Sequence, residues 1–276
     1  PKAEDIPWGW RTVLPPPPPP VTPPVPPARA TLSLAVEKPE LLAGPWPWPF
    51  RQGVPFAEGL LPPAAGLGLA GPDGARLPVE LRGVNTWPDG SRQWAVLAFT
   101  LPAGATGPLD LRYGTAVDVA AGGTPEEPVR TEDDGTTANG LVTVRPAALP
   151  EAALNLARGG GANVLQGLGV YLRAGELAFC PTWSRGEWLQ RSAQEAEYLL
   201  DGYLATATGE RYGACRLRIA VFAGCPYVRL LLTLTNQRCE QAFTADAYGL
   251  RLRAADAKAG PAEAGWATVS TPAGSL

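Results

Sequence analysis

The sequence predicts an all-β protein, on three grounds. Glycine and proline each occur 32 times among 276 residues, a usage that favours short strands joined by many turns. Apolar and polar residues alternate in several segments, as strands with one buried face require. Turn sequences of the type Pro-Asp-Gly separate some of these segments. We therefore expect two antiparallel β domains, at residues 29–119 and 137–276, preceded by an extended polyproline arm at residues 1–28 and joined by a linker at residues 120–136.

The N-terminal arm is built on a proline run. Six consecutive prolines extend from Pro15 to Pro20, and further prolines follow up to Pro27. Proline fixes φ and removes the backbone N–H, so this run is expected to form a polyproline II rod about 40 Å long. The tip before it carries four large apolar residues, Ile6, Trp8, Trp10 and Leu14. Two interpretations stay open: the segment is a linker, or it docks these anchors on another copy of the chain.

The first predicted strands lie between residues 30 and 84. Ala30 to Val36 alternates strictly and predicts a strand, whereas proline at every second position of Pro45 to Phe50 predicts an irregular apolar cover. Gly66 to Gly71 fits the GxGxxG pattern of dinucleotide-binding proteins. A Pro-Asp-Gly turn follows where that motif needs a helix, so we reject nucleotide binding. We expect a strand over Gly68 to Ala70 that returns after the turn as Leu77 to Val84.

A hairpin is predicted at Trp87-Pro88-Asp89-Gly90, whose Pro-Asp-Gly sequence is typical of a tight turn. Every residue of the following segment, Trp94 to Phe99, is apolar, so both faces of that strand are expected to be buried. Further along, Gln190 to Leu200 fits either a helical face or a strand. The strand-rich sequence around it favours a strand.

Three motifs occur here in the order found in one known family. They are Gln52-Gly53-Val54-Pro55-Phe56-Ala57-Glu58-Gly59, then Asp73-Gly74, then Trp87-Pro88-Asp89-Gly90-Ser91-Arg92-Gln93-Trp94. In these motifs the chain resembles the N-terminal barrel-like β domain of exo-rhamnogalacturonan lyases and YetA-like proteins. Asn139 to Val144 and the hairpin from Cys215 to Asn236 are similar to the β-sandwich domain that follows in that family. The resemblance covers most of residues 30 to 250 and implies a barrel-like domain followed by a β-sandwich.

The resemblance does not bring a catalytic site with it. Enzymes of the family are much longer and carry a large helical domain after these β domains, and nothing helical of that size fits in this sequence. None of the family's catalytic residues can therefore be assigned to a position of this chain. We expect no enzymatic activity, and a polysaccharide lyase-like activity is the alternative.

Composition excludes several other classes of function. The absence of histidine removes Ser-His-Asp and Cys-His nucleophile systems and histidine-ligated zinc. A net charge of −3 gives no electrostatic footprint for nucleic acid, and no apolar run is long enough to span a membrane. Because the sequence has no Met, Pro1 is not a translation start, and we expect an exported, N-terminally processed protein, extracellular or at the cell surface. No cofactor or metal is expected.

The four cysteines, Cys180, Cys215, Cys225 and Cys239, form no CxxC pair, which argues against zinc. Two disulfides in an oxidising compartment are expected, with four buried free thiols as the alternative. The positions of the cysteines around the predicted hairpin favour Cys215–Cys239 and Cys180–Cys225.

Aromatic and acidic residues supply the remaining candidates for a site. Nine tryptophans exceed what two cores need, and four of them are candidates for a glycan-stacking platform, or alternatively for core cover: Trp46, Trp48, Trp183 and Trp188. Two acidic pairs, Glu195 with Glu197 and Asp133 with Asp134, are adjacent or alternate acids of the kind that usually lie on solvated faces.

These features favour a structural role. An arm that docks on a neighbouring copy makes a head-to-tail contact, which closes into a ring or continues as a filament. We therefore expect a subunit of an extracellular homopolymeric filament whose partners are other copies of itself. The alternative is a non-catalytic carbohydrate-binding module, or an accessory β portion of a polysaccharide lyase-like protein, with carbohydrate as its partner.

Overall fold

The computed structural model describes residues 25–36, 47–82, 85–117, 124–146, 155–159, 161, 163–236, 245–254 and 266–270. Across these ranges the chain forms eighteen β-strands and no helix. Every strand pairing among them is antiparallel. The predicted all-β class is therefore confirmed, whereas the arm anchors and the prolines before Val25 lie outside the described residues.

The first seven strands form what we call the N-terminal β unit. Their bounds are β1 Ala30–Leu34, β2 Trp48–Pro55, β3 Gly66–Ala70, β4 Arg76–Leu77, β5 Val79–Arg82, β6 Trp94–Leu101 and β7 Leu109–Gly114. They make two sheets, with strand orders β1-β7-β3-β4 and β2-β6-β5. Leu97 of one sheet and Leu109 and Leu111 of the other are fully buried in the shared core. Truncating such a leucine to alanine typically costs about 2–5 kcal/mol.

The chain changes sheets at Pro78. As predicted, a turn follows β3: Gly74 has a φ of 79°, and the Asp73 carboxylate accepts a hydrogen bond from the Ala75 N–H at 2.9 Å. The predicted returning strand is split, however, because β4 pairs with β3 whereas β5 pairs with β6 in the other sheet. Proline has no N–H for a ladder, so it suits the point where the chain leaves one sheet.

Two sequence predictions for this unit need correction. Trp48 to Phe50 is the start of strand β2, not an irregular cover, and Pro49 fits there because β2 is an edge strand of the described sheet. In β6, residues 95 and 97–99 are buried as expected, but the Trp94 side chain is 43% exposed and lies over Gly53.

Two of the three sequence motifs that carry the family resemblance, the one around Phe56 and the one around Trp87, contact each other. The Trp87 indole N–H donates to the carbonyl of Phe56 at 2.9 Å, and the Gly59 N–H donates to the Ser91 hydroxyl at 2.8 Å. Ser91 is buried and donates in turn to the Asp89 carboxylate at 2.6 Å. The WPDGS turn thus ties down the loop after β2, which gives the motif a structural role.

The remaining eleven strands form the C-terminal β unit. Their bounds are β8 Arg130–Thr131, β9 Thr137–Ala138, β10 Val142–Arg145, β11 Asn155–Arg158, β12 Asn163–Ala174, β13 Leu177–Arg191, β14 Glu195–Ala205, β15 Arg211–Phe222, β16 Val228–Asn236, β17 Ala247–Ala254 and β18 Trp266–Ser270. The sheet order runs from β16 to β8, with β17 paired to β12 and β18. Gln190 to Leu200 is strand on both sides of a short turn, as favoured from the sequence.

The core of the C-terminal β unit lies between two layers of this sheet. Val144 and Leu172 approach it from β10 and β12, while Leu200, Leu217 and Ile219 approach it from β14 and β15. The fifteen-residue strand β13 pairs with β12 at its start and with β14 along its length, so it joins the two layers. On β14, even-numbered residues face this core, which leaves odd-numbered residues on the other face.

Candidate functional site

The most unusual chemistry of the described residues is a pair of buried carboxylates. Glu195 and Glu197 lie on β14, and their residues are only 2% and 3% exposed. The prediction that they form a solvated face is therefore wrong. Residues two apart on a strand share a face, and here that face is covered by the N-terminal β unit.

Arg51 of β2 reaches both carboxylates. Its Nη2 lies 2.7 Å from Glu197 Oε2, and its Nε donates to Glu195 Oε2 at 3.1 Å. Arg51 Nη2 also contacts Glu195 Oε1. One guanidinium therefore joins the two units through two carboxylates, in the charge-assisted geometry that makes arginine suitable for buried pairs.

Two further arginines complete the pairing. Arg82 of β5 places its Nη1 3.5 Å from Glu195 Oε2, and its Nε lies 3.0 Å from Glu80 Oε1. Arg218 of β15 places its Nε 2.7 Å from Glu197 Oε1, an ion pair by distance without hydrogen-bond geometry. Three arginines and three glutamates thus form one cluster, which we call the interface cluster: Arg51, Glu80, Arg82, Glu195, Glu197 and Arg218.

One neutral donor, one neutral acceptor and a fourth arginine border the interface cluster. Gln190 donates to Glu80 at 3.2 Å, and Arg82 donates to the Ser192 hydroxyl at 3.1 Å. The Arg229 guanidinium lies 4.9 Å from the centre of the Phe222 ring. Burial lowers the pKa of Arg229 and the nearby positive charge of Arg51 lowers it further, whereas Glu197 opposes the shift. The glutamates are thus surrounded by donors.

The interface continues into a second set of contacts around the β15–β16 turn. The Tyr227 hydroxyl donates to the Pro47 carbonyl at 2.9 Å, and the Tyr227 ring lies 5.8 Å from that of Trp48. Thr100 donates to the Ala223 carbonyl at 3.2 Å. Burial raises the pKa of Tyr227, so this hydroxyl stays protonated as a donor. These contacts also cross between the two units.

Asn139, which also belongs to the C-terminal β unit, stabilises the same turn. Its side-chain amide donates to the carbonyls of Phe222 at 2.6 Å and Cys225 at 2.7 Å. Its Oδ1 accepts from the N–H groups of Leu141 and Val142 at 3.0 and 2.9 Å. Asn139 is 1% exposed, so its polar atoms are satisfied by protein alone. The Asn139-Gly140 sequence therefore has a role in holding the fold together.

The tryptophans predicted as a glycan platform do not form one surface. Trp183 is 3% exposed and belongs to the C-terminal core, which excludes it from stacking on a ligand. Trp188 packs edge-on against Tyr198 at 4.9 Å and lies under the Arg191 guanidinium at 5.1 Å. Trp48 lies on the other unit, and Trp46 lies outside the described residues. Among the described tryptophans, the exposed one named above, Trp94, is the better stacking surface.

The predicted Cys180–Cys225 disulfide is wrong. Cys180 pairs in register with Ala205 at one end of β14, whereas Cys225 follows Phe222, which pairs with Glu195 at the other end. Ten strand residues separate these ends by about 33 Å, far beyond disulfide reach. Cys180, Cys215 and Cys225 are free thiols. Cys239 lies outside the described residues, but because Cys215 is a free thiol the predicted Cys215–Cys239 disulfide is not borne out either.

Two of these thiols are unreactive as nucleophiles at neutral pH. Burial raises the pKa of Cys215 to about 12 and that of Cys225 to about 11. Since the thiolate is the reactive form, neither is poised as a nucleophile at neutral pH.

The second acidic pair belongs to a turn. Asp133 pairs with Arg191 at 3.1 Å, and the Asp134 carboxylate accepts from the Thr136 N–H at 2.8 Å. This hydrogen bond, with one from the Thr136 side chain, lowers the pKa of Asp134. Within the described ranges, no group of three or more metal-ligating side chains is placed to hold an ion. In the same part of the chain, no helix is long and apolar enough to cross a membrane.

Sequence reasoning missed the three arginines of the interface cluster. The alternate spacing of Glu195 and Glu197 showed that they share one strand face, and that was the available signal. Which residues would cover this face depends on how the two units pack, which strand periodicity does not specify.

Comparison with known proteins found one match, which covers most of the N-terminal β unit. No curated protein matches the chain. Residues 45–114, which contain strands β2 to β7, match the family model described as the PcRGLX-like N-terminal RIFT barrel domain. The resemblance inferred from the motifs is confirmed over this region, and this part of the chain is similar to the N-terminal RIFT barrel of that lyase-like family.

Proposed function

We propose that this chain is a non-catalytic β scaffold, the accessory β portion of a polysaccharide lyase-like protein. The observation that carries the proposal is the interface cluster, which holds a RIFT-barrel-like unit against a second β unit through buried ion pairs. An assembly of this kind fixes the relative position of two surfaces, and that is the role of a scaffold.

The state of the carboxylates supports a non-catalytic role. Hydrolysis of a glycosidic bond by paired carboxyl groups needs groups that a substrate can reach. Glu195 and Glu197 are the paired carboxylates with the geometry closest to this, yet both are buried and both contact arginines.

An activity assay tests this proposal. The intact chain is incubated with rhamnogalacturonan and polygalacturonan, and unsaturated products are followed by absorbance near 235 nm. We expect no product above a no-protein control. Product formed by the intact chain would overturn the proposal, and its loss in Glu197→Gln, a near-isosteric variant, would show that a cluster carboxylate is catalytic.

Assembly through the N-terminal arm is a second candidate function. The base of the arm supports it, since the Thr115 and Ala116 N–H groups donate to the carbonyls of Pro27 at 3.1 Å and Ala28 at 2.9 Å. Gly114 is required there, because a Cβ would lie 2.4 Å from the Ala28 carbonyl oxygen. Val25, just before this clamp, is 87% exposed. The arm thus starts from a fixed point, as an arm that docks on a neighbouring copy would need.

Truncation tests the arm. We expect the intact chain to form filaments seen by electron microscopy, and a chain lacking residues 1–24 to be a folded monomer. Trp8→Ala combined with Trp10→Ala should weaken assembly by a few kcal/mol, as for buried aromatic anchors. Identical filaments from the truncated chain, or no assembly of the intact chain, would reject this function.

A further inference from the structure

A pocket lies on the outer face of the sheet β1-β7-β3-β4, away from the interface cluster. Its volume is about 280 Å³, and its lining includes Arg29, Thr31, Gly68, Ala70, Arg76 and Arg112. Arg29 lies just before β1 and Thr31 lies on β1. The other four lie on β3, β4 and β7. The pocket is therefore built on the paired strands of the sheet.

Residues with small side chains form the floor of the pocket. In β3, Leu67 and Leu69 face the core, so the alternate residues Gly68 and Ala70 face outward. Gly68 is opposite Arg112, and Ala70 is opposite Arg76. Gly68 and Ala70 are buried although they lie outside the core cluster. Larger residues at these two positions would fill the hollow.

Three arginines surround this floor without a carboxylate partner. Arg29, Arg76 and Arg112 are exposed, and within the described residues none of them lies within 4.0 Å of an acidic side chain. Arg29 donates to the Ala116 carbonyl at 3.4 Å. Asp110 is on the same strand face as Arg112 but forms no ion pair with it. The local charge is therefore positive.

We propose that this pocket binds the oxyanion group of a small ligand, a carboxylate or a sulfate. A guanidinium presents parallel N–H donors that match the two oxygens of such a group, and three of them converge on one hollow. This inference does not depend on the proposed scaffold role.

Nuclear magnetic resonance titration of the intact ¹⁵N-labelled protein tests the proposal. The probes are sodium sulfate, D-glucuronate and neutral D-glucose, at constant ionic strength in chloride buffer. We expect saturable shifts at the amides of Gly68, Ala70 and Arg76 with one or both anions and none with glucose. Comparison of sulfate with glucuronate identifies which oxyanion is preferred.

Variants make the test specific. Arg112→Ala should weaken anion binding at least about tenfold, because it removes charge-assisted hydrogen bonds. Ala70→Leu should have a similar effect by filling the floor without changing charge. Arg92→Ala is the matched control: it removes one positive charge from the same unit, where Arg92 bonds the Pro63 carbonyl, and should change affinity less than about twofold. Shifts confined to other surfaces, no saturable binding, or equal effects of Arg112→Ala and Arg92→Ala would overturn the proposal.

Discussion

Arginines occupy two contrasting regions of this molecule. At the interface between the β units, Arg51, Arg82 and Arg218 face Glu80, Glu195 and Glu197, and every guanidinium contacts a carboxylate. On the outer face of the N-terminal sheet, Arg29, Arg76 and Arg112 surround a hollow and contact no described carboxylate. The same side chain thus holds the fold together where its carboxylate partners are buried, and is free for a ligand where no carboxylate is near.

The energetic consequence differs between the two regions. A buried ion pair contributes little compared with an apolar contact, because both charges lose their hydration. Removing one partner is costly, however, since the other charge stays buried and unpaired. An exposed arginine without a partner has no such penalty. Truncation of an interface arginine should therefore destabilise the fold, whereas truncation of an arginine at the outer pocket should change its stability little.

The largest effect is expected for Arg51→Ala. This change leaves Glu197 with Arg218 alone and removes the guanidinium that contacts both carboxylates. It should cost about 2–4 kcal/mol of unfolding free energy, less than for a fully buried pair because the Arg51 side chain is 34% exposed. Urea denaturation followed by circular dichroism measures it. Arg112→Ala is the exposed control and should stay within about 0.5 kcal/mol of the parent. Equal losses in both variants would remove the distinction between the two regions.

A smaller loss is expected for Asn139→Ala. The change leaves the carbonyls of Phe222 and Cys225 without the amide that binds them, at a cost of about 1–3 kcal/mol. The same urea titration measures it. Asn139→Asp offers a sharper comparison, because its carboxylate still accepts from Leu141 and Val142 but donates nothing to the turn. Parent-like stability of both variants would show that the turn is held by other contacts.

The smallest change in stability is expected for the thiols. Here the exposed Cys180 contrasts with the buried Cys215 and Cys225. In a Cys239→Ser background, Cys180 should react with a thiol reagent at pH 8 in the folded protein, whereas Cys215 and Cys225 should react only after unfolding. Their raised pKa values leave about one thiolate in a thousand or fewer at that pH. Cys180→Ser should remove the fast reaction and change stability by less than about 0.5 kcal/mol. Rapid labelling of two or three thiols would contradict this assignment.

Local sequence patterns predicted the elements of the fold well. The Pro-Asp-Gly turn after β3 and the strand over residues 195–200 follow from turn chemistry and alternation, which are local properties. The WPDGS motif indicated the similarity to the RIFT barrel domain, and its Trp87 and Ser91 hydrogen bonds hold the loop after β2. The register of neighbouring strands could not be read in this way, and so Cys180 and Cys225 were paired although they lie at opposite ends of β14.

The candidate site was harder to predict because it depends on packing between units. Glu195 and Glu197 look like a solvated strand face until Arg51 is placed over them from a strand more than 140 residues earlier. Trp183 and Trp94 show the same limit, since residue type alone does not separate a core tryptophan from an exposed one. Long-range contacts decided each of these cases.

Differential scanning calorimetry of the intact protein tests the central claim, that the interface cluster couples the two β units. The parent should unfold in one transition, because separating the units breaks the ion pairs and hydrogen bonds that cross the interface. Arg51→Ala combined with Arg82→Ala should split it into two transitions, while Arg76→Ala combined with Arg112→Ala should leave one. Two transitions in the parent, unchanged when Arg51 and Arg82 are replaced, would contradict the account.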